Sequence, residues 1–530
     1  MKPTMESTDV FAAIEFLKTE GLNWLAAIVK RRRAAHAELR FEATFRVSAQ
    51  AEDGIVRRSA ESENAGFGLN VLHNRDQRVF GRGQYGAMVG RLAGRPQQLL
   101  TALSGGFEEA YERAAIDATE RKRRSVLGSG TSRGSIDLAE PGPRAVRAEL
   151  PAVFRLDPLV VGGKAVRELS RHASASAAGL GCSIAFNSIS VLTELRHELF
   201  LDSEGTVISQ AFAFSQGDCY VVAQASSGVQ EIYDTIGQQR GLECLLQGWA
   251  EGPMPNPDLA TFATSLGKEA TELARAPVLK PPQGEVTVVT DPHFNALLVH
   301  EIVGHPCEAD RALKSEAAYA GRSWFLRSLK DNAVGQVVGS RFVSACSDPT
   351  LPAYGHYCYD AEGVPGQRAV HIERGVFRDF LHSRATAAVL GARANGSVRA
   401  TEAWFVPLIR MSNTFFMAGE QKPEDLISEV DRGFYVCGHM IPSIAESREN
   451  FRISARRVYE IDHGRLGRLY RSGSLVADSK RFFLNVDGAG NDLRLFAIPN
   501  CGKGQPMQVK RMSNGGPTLR SRGFLAGGRP

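Results

Sequence analysis

No uninterrupted apolar stretch approaches the ~20 residues that a membrane-spanning helix needs, so none is expected. The opening Met1-Lys-Pro-Thr-Met-Glu-Ser lacks an apolar signal core and runs straight into an amphipathic pattern. Cysteine is scarce: eight residues are scattered through 530, with no CxxC pair among them. That scatter argues against a disulfide framework and suits reduced thiols, so a cytoplasmic setting is expected. A strong charge bias is missing too. Lys and Arg total 63 against 58 Asp and Glu, and the resulting +5 gives no ground for expecting nucleic acid. No internal repeat is visible. What is there is ordinary globular composition, 43% apolar and 23% charged, over a length that accommodates about two or three domains.

The first pattern is helical, with Val10, Phe11, Ile14 and Leu17 on one face and Ser7 or Thr8 available as N-cap. A period-two strand follows, with Leu39, Phe41, Ala43, Phe45 and Val47 inward and Arg40, Glu42, Thr44 and Arg46 outward. Asp53-Gly54 supplies a hairpin turn. Residues 99–124 read as a charged helix, and residues 128–151, rich in Gly, Ser, Pro and Arg, as an exposed insertion. Asp202-Ser-Glu-Gly205 then separates two strand-like runs. Helices are expected near 229–249 and 257–274, the second with Asn256 as N-cap and Pro257 at its first position. Pro281-Pro282 marks the expected seam; beyond it short strands and turns dominate, Glu460-Ile-Asp-His-Gly464 among them. The expected fold is α+β in two domains: an α+β domain over 1–284 and a β-rich domain over 285–530 that carries one important helix.

That helix follows a short strand of Val286, Val288 and Val289, with Asp291 as N-cap and Pro292 in the first turn. It reads His293-Phe-Asn-Ala-Leu-Leu-Val-His300-Glu301-Ile-Val-Gly-His305, apolar almost all round and so expected to be buried. Two imidazoles and a carboxylate are costly there unless satisfied. A metal satisfies them, taking both histidines while a water on it partners Glu301, the expected general base. In the common zinc-peptidase motif the histidines stand at i and i+4. Here they stand at i and i+5, ~140° apart on an ideal α-helix. Their convergence requires a wider π-type turn, or a helix that ends near Gly304-His305-Pro306. Two hydrogen-bonded core histidines are the plain alternative.

Further stretches follow in order: Glu308 and Asp310, Tyr359-Asp-Ala-Glu-Gly363, Arg410-Met-Ser-Asn-Thr414, Asn450-Phe451, Val458-Tyr-Glu-Ile461 and Cys501-Gly-Lys-Gly-Gln505. Together with HExxxH they resemble the TldD/PmbA family of metallopeptidases, its TldD branch in particular; the N-terminal half fits more loosely. Two departures stand out. The cysteine motif is one residue shorter, and Ser443-Ile-Ala-Glu-Ser-Arg-Glu-Asn450 replaces a glycine-rich segment. The resemblance implies Zn2+ held by His300, His305 and Cys501. It also implies cleavage of peptides or unfolded polypeptide segments, in natural-product maturation or protein turnover. A complex with a PmbA/TldE-like paralogue lacking the metal motif is implied as well, or else a homodimer. On this reading Glu301 takes a proton from water and returns it to the leaving amine. Arg410, Asn413 and Lys503 hold the peptide backbone or the developing oxyanion, unless they are turn or sheet residues. Cys307, two residues beyond His305, is the competing thiol, and Glu308 or Asp310 the competing carboxylates. The rival function from a different class is a non-catalytic subunit that captures peptides for a partner enzyme.

Weaker signals are read plainly. Gly81-Arg-Gly-Gln-Tyr-Gly86 spells GxGxxG without a preceding apolar strand or a following acidic partner, so a turn is expected. Lys30-Arg-Arg-Arg33 and Arg121-Lys-Arg-Arg124 read as solvated helix ends, the sole support for a nucleic-acid-binding modulator. His356, His371, His382, His439 and His463 show no ligand spacing.

Overall fold

In the computed structural model, residues 7–74, 80–90, 94–126, 145–316, 318 and 321–527 are described. Period-two patterning builds the first sheet. Its strands are β1 (His36–Glu52), β2 (Ile55–Asn74), β3 (Phe80–Met88), β4 (Arg147–Leu150), β5 (Ile184–Asp202), β6 (Val207–Ala225) and β7 (Gly228–Gln238). They lie in the order β3-β2-β1-β5-β6-β4, with β7 also on β6. The β1–β2 hairpin closes at Asp53-Gly54, whose φ angles of 46° and 80° are those a tight hairpin turn needs. The β5–β6 hairpin closes where the Asp202 carboxylate accepts from the Glu204 and Thr206 amides, both at 2.9 Å.

Among the described residues six α-helices accompany this sheet, α1 (Ser7–Phe16), α2 (Leu22–Arg32), α3 (Pro96–Val126), α4 (Pro158–Ala178), α5 (Glu243–Leu246) and α6 (Leu259–Arg275), with a π turn, Leu17–Gly21, joining the first two. Leu39 and Phe41 of β1 pack with Leu25 of α2 and Leu103 and Phe107 of α3. Farther along the sheet, Val166 of α4 and Leu266 of α6 close over Ile189 and Val221. Burying these faces supplies most of the driving force for this half. In α1, Ile14 is buried, while the side chains of Val10 and Phe11 lie outside the described residues.

Several expectations are corrected. Arg40, Glu42 and Thr44 face no solvent; they are 7%, 2% and 5% exposed. The C-terminal half covers that face, with Arg40 Nη2 donating to Phe405 O at 3.1 Å and Arg196 Nη1 to Thr401 O at 3.2 Å. Residues 229–249 are not one helix but β7 followed by the short α5. Val229, Ile232, Tyr233 and Ile236 are spaced like a helical face, yet this β-branched and aromatic run pairs with β6 along its whole length. Asp258 caps α6, accepting from the Thr261 amide at 2.9 Å, while Asn256 instead donates to Cys244 O at 3.0 Å. The GxGxxG segment is strand β3 and not a turn. A Cβ on Gly81 would lie 2.0 Å from Ala114 O, and one on Gly83 1.8 Å from Ala110 O, so only glycine lets α3 lie directly on the strand. Of the expected insertion, 128–144 lies outside the described residues, and Arg147–Leu150 pairs with β6 as β4. The basic clusters sit at helix ends as expected, with Arg32 2.8 Å from Glu108 and Arg121 2.8 Å from Asp117.

Beyond residue 283 strands of 2 to 13 residues alternate with loops and short helices. One six-stranded sheet contains Asn413–Phe416, Arg494–Lys503 and Gln508–Gly516. A seven-stranded sheet contains β8 (Val286–Thr290), Arg432–Ile444, Asn450–Asp462 and Leu519–Gly527. Helix α7 (Pro292–Val299) leaves β8, and its Phe294, Leu298 and Val299 enter a core shared with Phe416, Phe451 and Met512. The fold is α+β, as expected. Among the described residues no helix is long and apolar enough to cross a membrane, and all eight cysteines are free.

Candidate active site

The site grows from the end of α7. Asp291 Oδ1 accepts from the Phe294 amide at 2.7 Å and from Gly438 N at 2.9 Å, fixing where the helix starts. From there the backbone passes through a π turn, His300–Gly304, into a short 3-10 turn, His305–Cys307. The His305 amide donates to His300 O, the five-residue step of a π turn. This extra residue brings the two imidazoles together, with ring centroids 4.7 Å apart and planes at 85°. A Cβ on Gly304 would lie 2.0 Å from Met411 Sδ, so glycine lets the turn pack against Met411.

Each imidazole has one nitrogen occupied. His300 Nδ1 is 2.9 Å from Asn514 Oδ1, and Asn514 Nδ2 donates to Thr414 O at 3.1 Å, which turns the amide oxygen toward the ring. His305 Nδ1 is 3.0 Å from Glu308 Oε2. Glu308 is fully buried, 2.8 Å from Arg311 Nε and 3.3 Å from Lys503 Nζ. Burial pushes its carboxyl up, but Lys503, His305 and Arg311 hold it well below the usual carboxylate range. Both Nε2 atoms are left for another partner. Cys501 Sγ, delivered by the strand Arg494–Lys503, lies 3.6 Å from His305 Nε2. One donor atom from each of His300, His305 and Cys501 lies within 4.8 Å of the others. Burial alone would raise the Cys501 thiol; His300, His305 and Arg410 hold it well below its ordinary value.

Glu301, on the same turn, is 13% exposed in its side chain. Burial raises its carboxyl, yet Arg448, His300 and His305 bring it down to about 2. Arg448 donates to this carboxylate from the segment Ser443–Asn450 that departs from the family pattern. The sequence reading missed Arg448, although that departure was a signal. It missed Asn514 as well, for which no local signal exists.

Arg410, Asn413 and Lys503 are corrected: all three are buried and bonded to protein groups, with only Arg410 Nε left without a partner, so none is presented to a peptide. Arg410 donates to Cys501 O and, at 3.1 Å, to Gln508 O. Asn413 donates to Asp348 O at 2.8 Å and accepts from Ser513 Oγ at 2.6 Å. Lys503 donates to Asp310 Oδ1 and to Ile409 O, both at 2.7 Å. They brace the strands that carry Cys501 and Asn514. Cys307 points into the apolar core.

Residues 283–528 match the family described as the PmbA/TldA metallopeptidase C-terminal domain. A metalloprotease of Methanothermobacter thermautotrophicus is 29% identical over 83% of this chain and 90% of its own length. A zinc metalloprotease TldD homolog of Saccharolobus solfataricus is 24% identical over 65% of this chain and 72% of its own. The solved structure of TldE from Thermococcus kodakarensis superposes with a TM-score of 0.67 at 17% identity, covering 95% of this chain and all of that one. At that identity it speaks for the fold alone. The family match over the part that holds the histidine turn and Cys501, and the relatives named metalloproteases, lead to one assignment: residues 283–528 of this chain are a PmbA/TldD-family metallopeptidase C-terminal domain.

Proposed function

We propose that this chain is a zinc-dependent peptide hydrolase in which His300, His305 and Cys501 hold the metal and Glu301 is the general base. The observation that carries the reading is the convergence of one nitrogen from each imidazole and one thiol beside a carboxylate. The donor set fits zinc chemically. Bonds of ~2.1 Å to nitrogen and ~2.3 Å to sulfur at a tetrahedral angle separate the donor atoms by ~3.6 Å. The His305 Nε2 to Cys501 Sγ distance is 3.6 Å. Both histidines carry the outer hydrogen bonds that orient metal-binding imidazoles.

When bound, zinc supplies a Lewis acid that acidifies water and polarises a peptide carbonyl. Glu301 is placed to take the proton of the attacking water and to give it to the leaving amine. Arg448 holds the Glu301 carboxylate in position. Asn514 and Glu308 keep each imidazole proton on Nδ1. The substrates fitting this reading are peptides or unfolded polypeptide segments, and the working unit is a complex with a TldE-like paralogue or a second copy of the chain.

The test is zinc content and peptide cleavage, measured with and without a co-expressed paralogue. Wild type should carry about one zinc per chain, as two imidazoles and a thiolate favour that ion. Glu301→Gln should keep the zinc and cleave nothing. Full zinc occupancy in both His300→Ala and His305→Ala would remove the reading. Zinc without cleavage under any pairing would favour a peptide-capturing subunit.

A further inference from the structure

A cavity of about 450 Å³ lies between the covered face of the first sheet and C-terminal residues from 356–361, 398–403, 499–500 and 509–511. Its size is that of a pocket for a small molecule or a short peptide segment. Among its cationic side chains, most are matched within the protein. Arg46, Arg196 and Arg511 converge on the buried Glu194 at 2.7, 3.1 and 2.8 Å, and Lys510 lies 3.9 Å from Glu198.

Arg40 and Arg399 differ. Both line the cavity at only 7% and 8% exposure, and among the described residues no carboxylate lies within 4.0 Å of either. Arg40 Nη2 donates to Phe405 O at 3.1 Å, while its Nε and Nη1 are buried without a partner. Arg399 Nη1 donates to Met411 O at 2.8 Å, and its guanidinium lies 5.0 Å from the centre of the Tyr357 ring. A buried guanidinium with no counter-ion is costly, and the planar fork is built to take a carboxylate in two bonds.

We propose that this cavity binds the carboxylate-bearing part of a peptide, with Arg40 and Arg399 receiving the carboxylate. The rest of the lining favours a peptide over a free dicarboxylate. Phe212 and Phe214 form an apolar wall that a dicarboxylate leaves unused. Glu402, with no cation within 4.0 Å among the described residues, is an acceptor for peptide N–H groups. Pro499 and Asn500 also line the cavity, so a bound chain runs beside the strand that carries Cys501. As a substrate pocket the cavity rests on the peptidase reading and narrows it to acidic peptides; as a binding site it stands separately.

The experiment measures binding, not turnover. Zinc-loaded Glu301→Gln protein is titrated with a fluorescein-labelled peptide containing two glutamates and with its glutamine counterpart, and binding is followed by anisotropy. The acidic peptide should bind at least about tenfold tighter. Arg40→Gln and Arg399→Gln should each remove most of that preference, and the lysine variants should recover part of it. Equal affinity for the two peptides would overturn the proposal without any pocket variant having to fold. So would a preference that survives both glutamine variants, or competition by free glutarate as strong as that by the unlabelled acidic peptide. Acidic-peptide binding with no cleavage by the wild-type chain would refute the peptidase reading and leave the pocket standing.

Discussion

Arg448 Nη1 donates to both the carboxylate and the backbone carbonyl of Glu301, the latter at 3.1 Å, and so ties the proposed base to its own turn. The two side chains are 4% and 13% exposed, so the pair sits in a poorly screened place. Removing one partner there leaves the other uncompensated. Arg448→Met should destabilise the metal-free chain by about 3 kcal/mol. With Glu301→Gln added, a coupling of roughly 1–3 kcal/mol should appear. Denaturant unfolding of the four proteins checks this, and strictly additive losses would show that the contact carries no energy.

Two thiols compete for the metal, and their surroundings separate them. Cys307 lies in the apolar core, where burial pushes its thiol well above the ordinary value. Cys501 stands beside two imidazoles and is held low. Cys501→Ser should sharply weaken zinc binding and activity, while Cys307→Ser leaves both largely intact. The reverse pattern in metal analysis would transfer the ligand to Cys307.

Glu308 acts through His305. Glu308→Gln keeps the shape but weakens the acceptor that orients the ring, so zinc affinity should fall by about 10–100-fold. Competition with a chelator measures it, and unchanged affinity would reduce Glu308 to a partner of Arg311 and Lys503.

Gly304 permits the π turn to meet Met411, and a methyl group there collides with a fully buried sulfur. Gly304→Ala should cost about 1–3 kcal/mol as the turn or Met411 shifts. Zinc content should fall with it, since the same turn sets the His300–His305 geometry. Unaltered melting and metal content would mean that Met411 yields freely.

Glu38 predicts an acid limb of stability. Burial raises its carboxyl, but His36, Arg384 and Arg82 bring it down to about 2. A depressed carboxylate stabilises the folded chain above its unfolded pKa of ~4.3, and that stability is lost as pH falls toward the folded value. Between pH ~5 and ~2 the wild type should lose roughly 2–4 kcal/mol more than Glu38→Gln. Parallel curves for the two would place the acid sensitivity elsewhere.

What could be read without coordinates was local. Asp291 and Pro292 announce the start of α7 because capping and a fixed proline φ act over one turn. The i, i+5 histidines call for a wide turn, and Gly304 stands where one forms. The Asp53-Gly54 hairpin is legible because its two positive φ angles are a local demand. Where a local pattern met a tertiary partner, the partner won. The helix-like spacing of 229–236 yields to pairing with β6, and the polar face of β1 is buried by residues more than 350 positions later. Arg410, Asn413 and Lys503 look available as letters, yet the folded chain buries them and spends nearly all their donors on its own carbonyls and carboxylates.

By itself, then, the sequence determined the buried helix, its widened turn and the pairing of histidines with a glutamate, since these depend on residues within a few positions of one another. Only the tertiary structure decided which thiol stands beside them, that Asn514 and Glu308 orient the rings, and that Arg448 meets Glu301. Most of these contacts join residues about 150 to 210 positions apart. Even Glu308, three positions from His305, is held in place by Lys503 across 195. No periodicity or spacing encodes such meetings; they exist only once the sheets have brought the strands together.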